Sequence, residues 1–216
     1  MIKLEKASVM NLENAMRGAR NPLNSWEKSD SYYDENNNYI LGENDLGLAK
    51  RLTKAGSDHR KFLRQIFVSV DITAPLYWWK EFDTYKVGTV ANSTSTMHKI
   101  HSKPIEMLDF SFDLDTGNLE LHESGWSVHE VFGGIVKDCE MIRKKYIETN
   151  DKRYWRALIQ TLPESYNQMR TCTLNYENLI NIYYARKQHK LIEWHVFCEW
   201  IEGLPYFKEI VLEGNE

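Results

Sequence analysis

Residues 175–204, NYENLINIYYARKQHKLIEWHVFCEWIEGL, constrain this chain more than any other stretch. Their apolar periodicity predicts one long helix capped by Asn175, and such a helix must bury a stripe against another element. At about 100° per residue, Leu179, Ile182, Tyr183, Phe197 and Trp200 share the apolar side. Asn181, Gln188, His195 and Glu199 form a thin solvent stripe opposite. Between the two apolar ends, the same face carries Arg186, His189, Lys190 and Glu193. Charges turned toward a core need partners or a ligand. Two readings stay open. Arg186 and Glu193 pair with other elements or face water at a subunit contact, or Arg186 is set against an anionic ligand group.

Alternation predicts strands at 2–9 (IKLEKASV), 64–72 (RQIFVSVDI) and within SYNQMRTCTL. NLENAMRGARN reads as a short helix capped by Asn11, followed by a long aromatic-anchored loop over 21–45. LGLAKRLTKAG reads as a helix capped by Asn44 or Asp45 and stopped by Gly56. Pro75 suits the first turn of a helix running through LYWWKEFDTYK. LDFSFDLD, 108–115, is a short strand or an extended arm. Helices are expected at about 127–150, where Gly133 and Gly134 permit a bend or a close approach, and at 151–163 between Asp151 and Pro163. Long helices alternating with separated strands predict one α+β domain over 1–216.

Composition narrows the functional classes. A chain of 216 residues with 42% apolar content can bury a core of its own. The net charge is −4 and both signs are mixed throughout, which marks neither a nucleic-acid surface nor a membrane surface. No apolar run reaches bilayer length, and MIKLEKASVM has no signal-peptide core. Cys139, Cys172 and Cys198, odd in number and widely spaced, read as reduced cytosolic thiols. His98, His101, His122 and His129 lack close Cys or acid partners, so no metal is expected. His122–Glu123 and His129–Glu130 read as surface pairs. No G-x-S-x-G elbow supports a hydrolase. Of Trp78 and Trp79, about 100° apart on a helix, one is expected in the core and the other at a pocket or partner.

TYKVGTVANSTSTMHK, 84–99, follows this aromatic run. It reads either as a solvated Ser/Thr loop or as a loop whose N–H and hydroxyl donors surround a phosphate. Its single glycine, Gly88, makes no P-loop or dinucleotide fingerprint.

The order of these parts resembles the flavin-dependent thymidylate synthases. That family carries R-H-R-x-x-S-x-N-E-x-S-x-R after a helix, a turn and a strand, and later a helix reading roughly N-x-R-x-L-x-x-F-x-x-L-R-x-x-x-x-A-Q-x-E-I-R. Here LAKRLTKAGSDHRKFLRQIFVSVDI, TYKVGTVANSTSTM and NYENLINIYYARKQHKLIEWHVF follow in that order. The likeness covers about 45–99 and 170–200. On the first motif stand Thr84, Tyr85 and Lys86, with Thr89 at the Ser position. Asn92 and Ser93 lie at or beside the Asn-Glu pair, Ser95 lies near the second Ser, and the terminal Arg becomes Met97, His98 or Lys99. Arg64 replaces the turn His, with His59 close by. On the late helix Arg186 stands at a cofactor-binding Arg, Lys190 at a position often His or Asn, and Val196 at the final nucleotide-binding Arg.

The resemblance implies an antiparallel sheet with flanking long helices, and a cytoplasmic homotetramer with sites between subunits. It implies reductive methylation of dUMP to dTMP with FAD, NADPH and methylene-tetrahydrofolate, or an inactive relative that serves as a nucleotide-binding or assembly module. It places Arg64, Tyr85, Lys86, Thr89, Arg186 and Lys190 at a cofactor and Asn92, Ser93 and Ser95 at the nucleotide, with no side-chain nucleophile required. Lys86 in place of Arg replaces a planar fork with a point charge. Val196 offers no polar contact to a pyrimidine, a loss of the order of one charge-assisted hydrogen bond, ~1.5–3 kcal/mol.

Overall fold

The computed structural model describes residues 2–113, 117–121 and 125–213. His122, Glu123 and the end of the 108–115 arm lie outside them. The expected alternation is realised in β1 (Lys3–Met10), β4 (Phe67–Pro75) and β8 (Asn167–Asn175). In β4 the buried side chains are Val68, Val70, Ile72 and Ala74, every second residue, as a pleated strand requires. With β5 (Val90–Ser93) these strands form a four-stranded sheet in the order β1-β4-β8-β5. Tyr32–Tyr33 (β2) and Tyr39–Ile40 (β3) make a small antiparallel ribbon, as do Glu120–Leu121 (β6) and Trp126–Ser127 (β7). Helices flank the sheet strands in sequence: α1 (Leu12–Arg20), α2 (Glu43–Lys54), α3 (Leu76–Phe82), α4 (Thr96–Lys99), α5 (Val128–Thr149), α6 (Lys152–Thr161), α7 (Tyr176–Arg186) and α8 (Ile192–Glu202). The fold is therefore the expected α+β arrangement, an antiparallel sheet with helices. Among the described residues no helix is long and apolar enough to cross a membrane.

Contacts divide the chain into two compact units. The first comprises Met1–Lys3, Ile72–Thr84 and Asn92–Arg170. Its core gathers Ile100, Ile105, Phe110, Val136, Cys139, Leu158 and Tyr166, with α5 packed against α6. Local signals set both helices. Ser127 and Glu130 form a capping box on α5, and Asp151 accepts the Arg153 N–H at 2.9 Å to cap α6. Among the described residues nothing lies within 4 Å of where a side chain on Gly133 or Gly134 would begin, so neither serves a close contact there. The α3 helix ends at Phe82, short of Lys86. Trp78 and Trp79 are both buried, where one was expected in the core and the other at a pocket or partner. Trp78 stacks on Phe82. The Trp79 indole N–H donates to the Gln168 carbonyl at 2.9 Å, and the Arg170 guanidinium sits 4.1 Å over its ring. A partner for the indole N–H and a cation for its face let the second ring be covered as well.

Glu140 of α5 accepts two hydrogen bonds from Arg143, at 2.6 and 2.8 Å, and one from the Ile105 N–H at 2.9 Å. The Arg143 bonds pull its carboxyl from the ordinary 4.5 to about 2, against the opposing effect of burial. A depressed folded-state value means this stabilisation is complete above about 4.5 and is lost as pH falls toward 2. The urea midpoint is expected to fall across that window, with a smaller fall in Glu140→Gln. Equal slopes in both proteins would refute the assignment.

The second unit comprises Leu4–Asp71, Tyr85–Ala91 and Thr171–Glu216. Here α2 ends where Gly56 takes φ 99, as expected, but its cap is neither Asn44 nor Asp45. Asp30 accepts the N–H groups of both, at 2.8 and 3.1 Å. Asp45 is fully buried inside the helix and is salt-bridged at 2.6 Å to Arg20, itself 5% exposed. Asn11 takes φ 70 at the start of α1 and makes no side-chain cap. Its Nδ2 donates instead to the Gln65 carbonyl at 2.9 Å.

The single helix expected over 175–204 is two helices, α7 and α8, separated by 187–191. The polar island is where the chain breaks. Desolvating Lys190 beside the other charged groups of the island along a continuous buried face would cost several kcal/mol per ion. The helix hydrogen bonds lost at a break are worth ~1 kcal/mol each. Some are replaced locally. Leu191 N–H donates to His189 Nδ1 at 3.2 Å, and the His195 Nε2 lies 2.6 Å from the His189 carbonyl.

Candidate functional site

In the second unit, the segment 85–89 meets both ends of α7. At the start of α7, Asn175 and Asn178 cap each other, and the Asn178 amide also donates to the Val87 carbonyl at 2.7 Å. Gly88 has φ 76, and a methyl there would lie 2.8 Å from Asn178 Oδ1. Only glycine supplies both that backbone angle and that clearance. The neighbouring Glu177 is buried and accepts a forked pair from Arg60 at 3.0–3.2 Å. At the far end, Arg186 Nε donates to the Tyr85 hydroxyl at 2.8 Å. Its guanidinium carbon lies 4.7 Å from the Trp194 ring centroid and 5.5 Å from that of Tyr85. Trp194 is fully buried and Glu193 is 6% exposed. Of the two readings of the polar island, these contacts favour pairing with other elements, in this case aromatic ones.

The predicted cofactor residues all fall in this unit. The structure joins Tyr85 to Arg186. Lys86, Arg64 and Lys190 stand exposed, Arg64 on a short turn before β4 and Lys190 in the break between α7 and α8. Thr89 is half-buried, and its hydroxyl is buried with no hydrogen-bond partner among the described residues. Val196, half-buried on α8, presents no polar atom.

The predicted nucleotide residues fall in the first unit. Asn92 and Ser93 are exposed on the edge strand β5. Thr94 is pinned by its N–H and hydroxyl to the Met169 carbonyl, at 2.9 and 3.2 Å. The Ser95 hydroxyl accepts the His98 N–H at 3.1 Å and so caps α4. The stretch read as one loop is thus a turn, an edge strand and a helical turn.

Ser95 lines a cleft of about 840 Å³ in the first unit. Thr94, Thr96, Lys3, Lys99 and Lys103 bring hydroxyls and ammonium groups to it, and Phe110, Phe112 and Tyr166 bring aromatic surface. Its acid, Asp109, is hydrogen-bonded to Lys103, and that bond raises the lysine pKa and keeps it cationic. Three cations and a row of hydroxyls beside aromatic rings suit a phosphorylated planar ligand. The sequence reading missed Lys3 and Lys103, and held Lys99 only as one candidate for the motif's terminal Arg. The spacing of Lys99 and Lys103, four apart in KIHSK, could have marked that pair, but Lys3 carried no signal. Among the described residues no three His, Cys, Asp or Glu side chains gather as they would around a metal. All three cysteines are buried thiols.

An antiparallel sheet with flanking helices, a cationic cleft in the first unit and a Tyr–Arg–Trp cluster in the second define an α+β protein. Solved structures give that class a closer counterpart. Thymidylate synthase X (ThyX) from Helicobacter pylori with FAD and dUMP superposes with a TM-score of 0.71 at 17% identity, covering 100% of each chain. A UMP/dUMP methylase, PolB from Streptomyces cacaoi, bound with 5-Br dUMP, gives 0.61 at 14% identity, over 100% of this chain and 92% of that one. At such identity the likeness shows a ThyX-like fold. No family model and no curated protein matches the chain.

Proposed function

We propose that this protein binds a pyrimidine nucleoside monophosphate, dUMP, in the first-unit cleft and acts as a flavin-dependent thymidylate synthase-like enzyme. The observation that carries the reading is the cleft itself, where Lys3, Lys99 and Lys103 converge beside Thr94, Ser95 and Thr96. Its support from outside is a fold shared end to end with a structure that holds FAD and dUMP. In this reading the lysines take the phosphate and the Ser95 hydroxyl, which already accepts the His98 N–H, donates its own proton to it. Asn92 and Ser93 precede the cleft residues Thr94 and Ser95 along the chain, and in this reading they contact the same nucleotide.

The unpartnered Thr89 hydroxyl fits a polar cofactor group. FAD would be held by Thr89, Lys86, Arg64, Lys190, Tyr85 and Arg186. When bound, it supplies the redox chemistry, with NADPH and methylene-tetrahydrofolate as co-substrates. Tyr85 holds Arg186 in place, and the ring faces of Tyr85 and Trp194 limit how far that guanidinium swings. The assembly in this reading is a cytoplasmic homotetramer.

A second reading, nucleotide binding without catalysis, is favoured by that same Arg186, already hydrogen-bonded to a phenol. Visible absorbance after titration with FAD, followed by tritium release from labelled dUMP, distinguishes the two. Flavin uptake with release supports the enzyme. Saturable dUMP binding without flavin supports the binding module. Absence of dUMP binding sinks both.

A further inference from the structure

In the second unit, the β2–β3 ribbon, the start of α1 and the turn at Pro205 enclose another cleft, of about 750 Å³. Tyr33, Tyr39 and Tyr206 line it together with Glu13 and Glu209. Among the described residues no Lys, Arg or His lines it. The rings of Tyr33 and Tyr39 lie 5.3 Å apart at 61°, a corner rather than a stack. Tyr33 remains 51% exposed, although an aromatic ring gains by being covered. Its hydroxyl donates to the Glu13 carboxylate at 2.7 Å, which fixes that carboxylate beside the ring.

The far wall is built to be rigid. Tyr206 takes φ 59, an unusual backbone angle for a bulky residue. Its hydroxyl accepts the Leu41 N–H at 3.0 Å, and Tyr176 donates to the Pro205 carbonyl at 2.6 Å. Glu209 follows in a π-helical turn, Lys208–Leu212.

Two carboxylates without a lining cation repel anions, which sets this cleft apart from the lysine-lined one. Electron-rich ring faces add attraction for a cation, and most of all for a large, weakly hydrated one. We propose that this cleft binds an organic cation of the alkylated-ammonium class, with Tyr33 and Tyr39 facing the cation and Glu13 and Glu209 supplying the counter-charge.

Calorimetric titration of the full chain with choline, and with its uncharged carbon isostere dimethylbutanol, tests this. Choline is expected to bind at least about tenfold more tightly than the isostere, because only the charge differs. Glu209→Gln and Tyr33→Leu should each weaken choline about fivefold or more; Tyr33 is exposed and Glu209 half-buried, and the urea midpoint of each variant checks that the fold is kept. Equal affinity for the two compounds, no saturable choline binding, or indifference to both substitutions would overturn the proposal. The site is independent of the nucleotide reading, and dUMP binding is expected to be unchanged in both variants.

Discussion

Arg20→Ala is expected to lower the stability of the protein by about 3–5 kcal/mol, a large part of the ~5–15 kcal/mol margin of a typical domain. Arg20 and Asp45 are 5% and 0% exposed and meet at 2.6 Å. The arginine also donates to the carbonyls of Ser25 and Lys28, at 3.2 and 3.0 Å. Asp45 accepts from the hydroxyls of Ser29 and Ser31, at 2.6 and 2.5 Å. Removing the guanidinium strands a buried carboxylate and frees the 25–31 loop that the pair holds in place. The measurement is the urea midpoint of Arg20→Ala, Asp45→Ala and the double variant Arg20→Met, Asp45→Leu. The double variant should be more stable than either single one, because it leaves no unpaired charge behind. A single variant within about 1 kcal/mol of the parent would refute the account. The pair also carries a pH signature. Burial pushes the Asp45 carboxyl up, but the hydrogen bonds from Ser29, Ser31 and Arg20 together bring it below its ordinary range. Its stabilisation is therefore present above that ordinary range and is lost in acid.

Replacing Lys99 and Lys103 together by glutamine is expected to weaken dUMP binding on the order of a hundredfold, with Lys99→Gln alone near tenfold. In the proposed site each ammonium would give a phosphate a charge-assisted hydrogen bond worth about 1.5 kcal/mol or more. The single variant matters because Lys103 also holds Asp109, so its loss perturbs the 106–109 turn as well as the charge. Titration with dUMP and with 2′-deoxyuridine, which lacks only the phosphate, reads the effect. Deoxyuridine affinity should stay level while that of dUMP falls. Equal losses for both ligands would mean a collapsed cleft, and no loss for either would remove the lysines from the site.

Much of the fold was legible because its signals are local. Val68, Val70, Ile72 and Ala74 announce a half-buried strand two residues at a time. Asp151 and Asn175 each cap the helix that follows within three residues. Gly56 stops α2 through its own backbone angle. The resemblance in the order of parts also led to the right fold, although the motif residues themselves are mostly exchanged.

The site was legible in part only. Tyr85 and Arg186, singled out separately, do meet across 101 positions. The amphipathic wheel over 179–201 assumed a continuous helix, and the break at 187–191 invalidates its angles. Asp30 caps α2 from 14 and 15 positions upstream, which no local pattern reports.

Period, cap and turn chemistry thus belong to the sequence alone, because each acts within a few bonds along the chain. Which charges are buried, which helix breaks and which lysines share a cleft belong to the tertiary structure. They depend on what packs against each side chain once the chain has returned on itself, and desolvation is decided there and nowhere earlier.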